Sequence, residues 1–351
     1  MNSPLVTIVV VPRERFSYTR ESLESIYQNT ELPFKLVYVD GNSPRPIKQY
    51  LESQAEQKQF ELIRTDYYLY PNQARNLGLA KADTKYVVFA DNDIVVQPGW
   101  LKALVDCAET TDAAVVGPLM CQHEPIHEEI HCAGGESRII VDAKGRRRMR
   151  EKMYKQGHST VKLRSQMQRT ATELCEFHCM LVRTSIFEEL GYFDEQMLNT
   201  KEHIDFCMAV IEAGDRVYFE PDSLVTYVPA VPLQWSDLHY YMLRWSDAWE
   251  TKSLERMRQK WDLAEDSYFK QKQKALGWRR RDTILSPIVD NLTLGSNNRL
   301  LRKLVMFGLL APVEKTLNNY LTSRHEREEQ QRTQQGDGIV IQQSSKELIH
   351  R

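Results

Sequence analysis

The sequence predicts an α/β protein built on a mostly parallel sheet flanked by helices. Three observations point there. The run LVTIVVV (5–11) is continuous and β-branched, as in a strand covered on both faces. Strand-like runs then alternate with helix-spaced segments as far as residue 118, the pattern of a parallel sheet. Finally, the apolar run YVVFA (86–90) leads straight into Asp91-Asn92-Asp93. That puts two carboxylates at the carboxyl end of a strand, where open α/β sheets bind their ligands.

The elements follow in order. Pro12 ends the first strand, and SYTRESLESIYQN (17–29) carries Leu23, Ile26 and Tyr27 on one helical face. FKLVYVD (34–40) is a second strand, closing on Asp40 and the turn residues GNSP. Residues 46–55 read as a helix, FELIRT (60–65) as a short strand, and PNQARNLGLAKA (71–82) as a helix opened by Pro71. After YVVFA come a helix, GWLKALVDCAE (99–109), and a strand, AAVVGP (113–118). The pattern loosens over 119–170, where ESRIIVDAKG reads as a strand and turn and GRRRMREKMYKQGHSTVKLR as a basic, flexible stretch. CEFHCMLVR (175–183) reads as a buried strand, TSIFEELG (184–191) as a short helix, and KEHIDFCMAVIEAG (201–214) as a helix stopped by Gly214. RVYFEP and LVTYVP are further strands. From 236 the chain turns helical and charged, and 325–351, rich in Gln, Glu and Arg, is expected to be disordered.

Composition narrows the function classes. With 27% charged residues and a net charge of −2, no basic field points to nucleic acid. The six cysteines lack a CxxC pair, which suits reduced thiols in a cytoplasmic protein. The start MNSPLVTIVVVPRER lacks the features of a signal peptide. The longest apolar run, LVMFGLLAPV (304–313), is too short for a membrane span of ~20 residues.

In a strand, residues i and i+2 face the same side, so Asp91 and Asp93 can aim at one point. Oxygen ligands so placed suit Mg²⁺ or Mn²⁺, which keep waters and bridge to phosphates. The alternative is that Asp91 caps the turn and Asp93 is solvated.

The segments VTIVVVPRER, LVYVDGNS, ARNLGLAKADTKYVVFADND with PGWL, ELGYFDEQ and KEHIDFCMAVIEAG stand in a telling order and spacing. Together they resemble the family 2 glycosyltransferases, which have the GT-A (Rossmann-like) fold, over roughly residues 4–230. With that resemblance the chain divides into a catalytic domain over 1–235, followed by the helical, charged C-terminal extension over 236–324 and the tail 325–351. It implies an inverting, metal-dependent transferase that moves a sugar from a nucleotide sugar, UDP favoured, to a saccharide or lipid-linked acceptor. Such an enzyme would build polysaccharide or another glycoconjugate from the cytoplasmic side.

The same resemblance assigns roles. Pro12, Arg13 and Glu14 match the loop against the nucleotide base, and Asp40 the carboxylate that reads the base. Arg75 and Asn76 match a segment near the diphosphate, Asp93 the metal ligand, and Asp91 a group near the ribose or metal. In Glu202-His203-Ile204-Asp205 the family usually has Glu-Asp, with the Asp as base toward the acceptor hydroxyl. Here His203 stands in its place; an ordinary imidazole, with a pKa near ~6.5, is able to act as a base. Glu202 and Asp205 are the alternatives, and both also suit a helix N-terminus through its dipole. A second departure is Tyr227, near the place where the family often has a further metal-binding His; His239 is a candidate substitute. The competing reading is a non-catalytic sugar-nucleotide-binding or scaffold protein on this fold, with a metallohydrolase as a weaker third.

Other candidates are fewer. His123, His127 and His131 are spaced by four and could hold zinc on a continuous helix, which Pro125 opposes. Cys175 and Cys179 flank His178 as small apolar groups in a strand. Arg146 to Arg150 form a solvated loop or one that closes over the diphosphate or an anionic acceptor. Gly134, Gly135, Trp235, Asp237 and Arg244 are candidate acceptor contacts, whereas Trp245 and Trp249 at near-helical spacing suit packing. The stretch RLLRKLVMFGLLAP (299–312) mixes cations with apolar residues and suits either a peripheral membrane contact or a covering helix.

Overall fold

A computed structural model describes residues 3–335. Its strands are β1 (Val6–Val11), β2 (Phe34–Gly41), β3 (Glu61–Thr65), β4 (Tyr86–Asp91), β5 (Ile94–Val96), β6 (Val115–Gln122), β7 (Glu129–Cys132), β8 (Gly135–Val141), β9 (Arg147–Met153), β10 (Thr170–Thr172), β11 (Cys179–Arg183) and β12 (Val217–Tyr227). The main sheet runs β10-β12-β6-β11-β4-β1-β2-β3, with β5 and β7 paired off its path. Strands β3, β2, β1 and β4 pair in parallel, as do β6 and β12, while β11 runs antiparallel between β4 and β6. The sheet carries helices α1 (Thr19–Gln28), α2 (Arg45–Lys58), α3 (Pro71–Leu79), α4 (Trp100–Thr111), the short α5 (Thr160–Leu163), α6 (Ile186–Leu190) and α7 (Glu202–Glu212).

Two apolar layers sandwich the sheet. One face buries Ile8, Val10, Val88 and Trp100, the other Val9, Val87, Phe89 and Met180. The alternation of Ile8 and Val10 against Val9 is the period-2 pattern of a strand buried on both sides, which explains why β1 is continuously apolar. Helix α3 packs so closely on β1 that a Cβ at Gly78 would overlap the Val9 side chain. Gly78→Ala therefore forces the helix away from the sheet and costs about 3 kcal/mol. A shift in the urea midpoint at unchanged slope measures it; a midpoint equal to wild type would mean that α3 moves freely.

Two sequence expectations need correction. The basic stretch after 145 is not flexible, because β9 pairs with β8 over seven residue pairs from Gly135↔Met153 to Val141↔Arg147. Carboxylates hold its arginines: Arg146 to Asp142, Arg148 to Asp266 and Arg150 to Glu136. The expected disorder from 325 does not hold over 325–335 either.

Beyond α8 (Leu238–Arg244), α9 (Asp247–Lys260), α10 (Ser267–Ala275), α11 (Trp278–Arg280), α12 (Ser286–Leu292) and α13 (Arg299–Lys303), the last helix, α14, spans Ala311–Gln335. Its polar sequence is held by specific contacts: His325 packs on Tyr70 and Trp249, and Tyr70 donates to Glu329 at 2.6 Å. Residues 336–351 of the expected tail lie outside the described ones.

Candidate functional site

The carboxyl ends of β1, β2 and β4 lie side by side, with Val11 in register with Asp91. Beside them opens a groove of about 250 Å³, lined among others by Arg13 of the loop after β1, Arg75 of α3, His178 just before β11, Glu202 and His203 of α7 and Arg244 of α8.

Behind Arg13, Arg75 and His178 of its wall lie Asp91 and Asp93, both wholly buried. A third group joins them. Strand β11 runs antiparallel to β4, with Cys179 opposite Ala90, and the Asp91 amide donates to the His178 carbonyl at 3.0 Å. That register carries His178 to the point where β4 ends, its Nδ1 3.0 Å from Asp91 Oδ2. One ligand atom from each of Asp91, Asp93 and His178 lies within 4.8 Å of the others. None of the four carboxylate oxygens, nor His178 Nδ1, has a hydrogen-bond partner.

Burial, reinforced by repulsion from Asp91, pushes the Asp93 carboxyl well above its usual range. Burial also raises Asp91, although Arg13 and Arg75 at 3.5 and 3.6 Å oppose it. Burial and the Arg13 charge push the His178 imidazole well below its usual range, into the neutral form that ligates metals. Orphaned buried carboxylates beside a neutral imidazole are the donor set of a divalent cation, so these residues fit one.

The sequence marks His178 only as the residue flanked by Cys175 and Cys179 and gives it no role. Tyr227, at the family's histidine position, stacks on His178 with ring centroids 4.2 Å apart. The histidine thus reaches the cluster from another strand, and only the β4–β11 pairing shows it. His239 packs edge-on against Tyr68 instead and does not line the groove.

The three candidate bases part company in α7. Glu202 faces Arg75 at 3.7 Å and Arg244 at 3.5 Å; burial raises its carboxyl, but Arg244 and Arg75 more than reverse this and leave it below the usual range. Asp205 points away from the groove and is held by Lys260 Nζ at 2.7 Å and Trp261 Nε1 at 2.8 Å. His203 opens to the groove, its Nε2 3.4 Å from Glu176 Oε1 without a hydrogen bond. Glu176 is a second residue that the sequence did not mark.

The other predicted contacts divide between site and scaffold. Arg13 lines the groove and stacks over Tyr227 at 4.7 Å. Glu14 is enclosed, accepting from Tyr227, Ala230 and Trp245, and the Pro12 carbonyl accepts from Tyr240. Asp40 pairs with Arg64 and caps Ser43. Asn76 clasps Phe193 and Glu195 rather than facing the groove.

Of the acceptor candidates only Arg244 lines the groove. Gly134 and Gly135 open the β8–β9 hairpin, Trp235 stands 87% exposed, and Asp237 holds the amides of Phe16 and Ser17. The helical zinc face that Pro125 opposes does not form: residues 121–132 are strand, turn and strand, and His127 bonds Thr226. Only His131 approaches the site, its Nε2 3.9 Å from Glu176. Asn92, between the two aspartates, ties the β1–α1 loop by bonds to Arg13, Arg15 and Thr19.

A buried clasp closes one side. Glu151 of β9 accepts from Lys201 at 2.7 and 2.9 Å and from Tyr268 of α10. Burial raises its pKa, but Lys201 and Lys272 more than compensate and bring it from the usual 4.5 down to about 2. A carboxyl depressed by folding contributes stability that is full above its unfolded pKa and lost as pH falls through the folded one. Between pH 5 and pH 2 wild type should therefore lose about 3 kcal/mol that Glu151→Gln does not. Urea titrations of both at each pH measure it, and parallel losses in the two proteins would refute the clasp.

The pre-mycofactocin glycosyltransferase of Mycobacterium tuberculosis is 25% identical over 234 residues, 63% of this chain and 42% of that protein. The O-antigen biosynthesis protein RfbC of Myxococcus xanthus is 25% identical over 218 residues, 61% of this chain and 16% of that protein. The chain thus spans less than half the length of either relative. The solved structure of GalNAc-T7 with UDP, GalNAc and Mn²⁺ superposes with a TM-score of 0.50 at 15% identity, covering 79% of this chain and 57% of that one. The GT-A architecture expected from the sequence is the one found. The family model described as "Glycosyl transferase family 2" matches residues 7–191. With more than half of its 351 residues matched and the strand-end carboxylates in place, the chain belongs to glycosyl transferase family 2.

Proposed function

We propose that the protein is a metal-dependent, inverting glycosyltransferase that moves a sugar from a UDP-sugar to a saccharide or lipid-linked acceptor in glycoconjugate synthesis. The observation that carries this reading is the trio Asp91, Asp93 and His178, buried together at the end of β4 with no hydrogen-bond partner for either carboxylate or for His178 Nδ1. These side chains would hold a divalent cation, and the imidazole among them favours Mn²⁺ over Mg²⁺. Bound there, the cation would neutralise the leaving diphosphate. Arg13 and Arg75 add fixed positive charge beside it. His203 takes the proton of the acceptor hydroxyl as that oxygen attacks the anomeric carbon and the bond to the diphosphate breaks. Glu202 is held by two guanidinium groups and Asp205 faces away, which leaves His203 as the base open to the groove.

Among the described residues no helix is long and apolar enough to cross a membrane. Leu300 and Leu304, 80% and 70% exposed, support a peripheral contact that suits a lipid-linked acceptor.

Calorimetric titration with UDP and with GDP, each with and without Mn²⁺, tests the donor assignment. The expected result is Mn²⁺-dependent binding of UDP. Binding of neither nucleotide in Mn²⁺ would overturn the reading.

A further inference from the structure

The wall of the groove carries six Arg or Lys side chains against four Glu. Four of the six have carboxylate partners: Arg13 with Asp91, Arg75 with Asp91 and Glu202, Arg244 with Glu202, and Lys201 with Glu151. The remaining two, Lys272 and Arg279, come from α10 and α11, beyond the residues the family model matches. Neither forms an ion pair with a carboxylate among the described residues.

Arg279 lies over the rings of Trp245 and Trp278, at 4.1 and 5.0 Å. Lys272 stands against Lys201, and that neighbouring charge, ahead of burial, lowers its pKa. The two other carboxylates of the wall do not cancel the excess. Glu176 faces His203 and His131, and Glu250, whose carboxyl burial raises against the opposing charges of Arg279 and Lys272, forms no ion pair with either. Like charges gathered in a part-buried wall destabilise it until a negative group joins them.

The position of the pair indicates which ligand that group belongs to. Lys272 adjoins Lys201, which immediately precedes Glu202 and His203. In an inverting displacement the acceptor enters on the side of the base, opposite the leaving diphosphate. The diphosphate side already has Arg13, Arg75 and the cation ligands. We propose that the acceptor carries a phosphate group, and that Lys272 and Arg279 bind it. The half-exposed ring of Trp278 at the lip offers a stacking face for an adjoining sugar. This assignment rests on the transferase reading and names the acceptor class for the same groove.

The test titrates glycerol 1-phosphate into protein saturated with UDP and Mn²⁺, with glycerol as the uncharged control. Wild type should bind the phosphate ester and not glycerol. Lys272→Gln and Arg279→Gln should each weaken that binding tenfold or more while UDP affinity stays within twofold of wild type. Lys272→Arg should retain it, which separates loss of charge from misfolding. Three results would each overturn the proposal: no phosphate binding with UDP in place, equal binding of glycerol, or variants that lose UDP affinity as strongly as phosphate affinity. The last would assign both cations to the donor. A protein that binds UDP with Mn²⁺ but no phosphate ester refutes this proposal alone. One that binds the ester but no nucleotide refutes the transferase reading, and with it the acceptor assignment.

Discussion

Asp93→Asn should make the metal-free protein more stable while removing its metal-dependent nucleotide binding. Both effects have one cause. Asp93 is wholly buried, lacks any hydrogen-bond partner and faces the equally buried Asp91. A site of this kind is destabilising until its ligand arrives. The amide keeps the shape, removes the repulsion and can donate to Asp91. A gain of about 1–2 kcal/mol is expected by denaturant titration without metal, on the scale of a relieved buried charge. In Mn²⁺ the nucleotide affinity should fall by about two orders of magnitude, since one of two anionic ligands is gone. A variant that is less stable without metal, yet binds UDP as wild type does in Mn²⁺, would show that Asp93 is structural.

His203→Ala should lower turnover by about 10²–10⁴-fold, the usual contribution of a positioned base, with UDP affinity unchanged. Release of UDP from the donor with water as acceptor measures this before the natural acceptor is identified. The neighbours provide controls. Asp205→Asn should reduce stability and leave turnover nearly intact, because Asp205 bonds Lys260 and Trp261 outside the groove. Glu202→Gln leaves Arg75 and Arg244 buried without their carboxylate, so its main effect should fall on folding. His203→Ala with wild-type turnover, or Asp205→Asn with a loss of several hundredfold, would move the base away from His203.

Much of the sheet's carboxyl edge was legible because strand ends are marked locally. A β-branched run that stops at Asp40 or Asp91 declares both its burial and the end where ligands gather. Glu14 and Asn76 show the limit of that logic. Each sits at the expected place in the chain, yet Glu14 is enclosed by Tyr227, Ala230 and Trp245, and Asn76 by Phe193 and Glu195. A side chain's partners depend on which distant loop folds over it, and no local spacing records that. The arginines after 145 misled in the opposite way. Their charge read as a solvated loop because Glu136, Asp142 and Asp266, which neutralise it, are seen to face them only once the hairpin pairs and α10 docks.

By itself the sequence determined the sheet and its helices, the carboxylates at the end of β4 and the unusual histidine of α7. These depend on hydrophobic periodicity and neighbouring residues, which a linear chain displays. Tertiary structure alone decided that His178 completes the aspartate pair, that His203 rather than Asp205 opens to the groove, and that Lys272 and Arg279 return from the C-terminal helices to line it. Each of those outcomes depends on the register of an antiparallel strand or the docking of a remote helix. Such contacts are set by packing over the whole core, and the residues that make them carry no mark of their partner in the sequence.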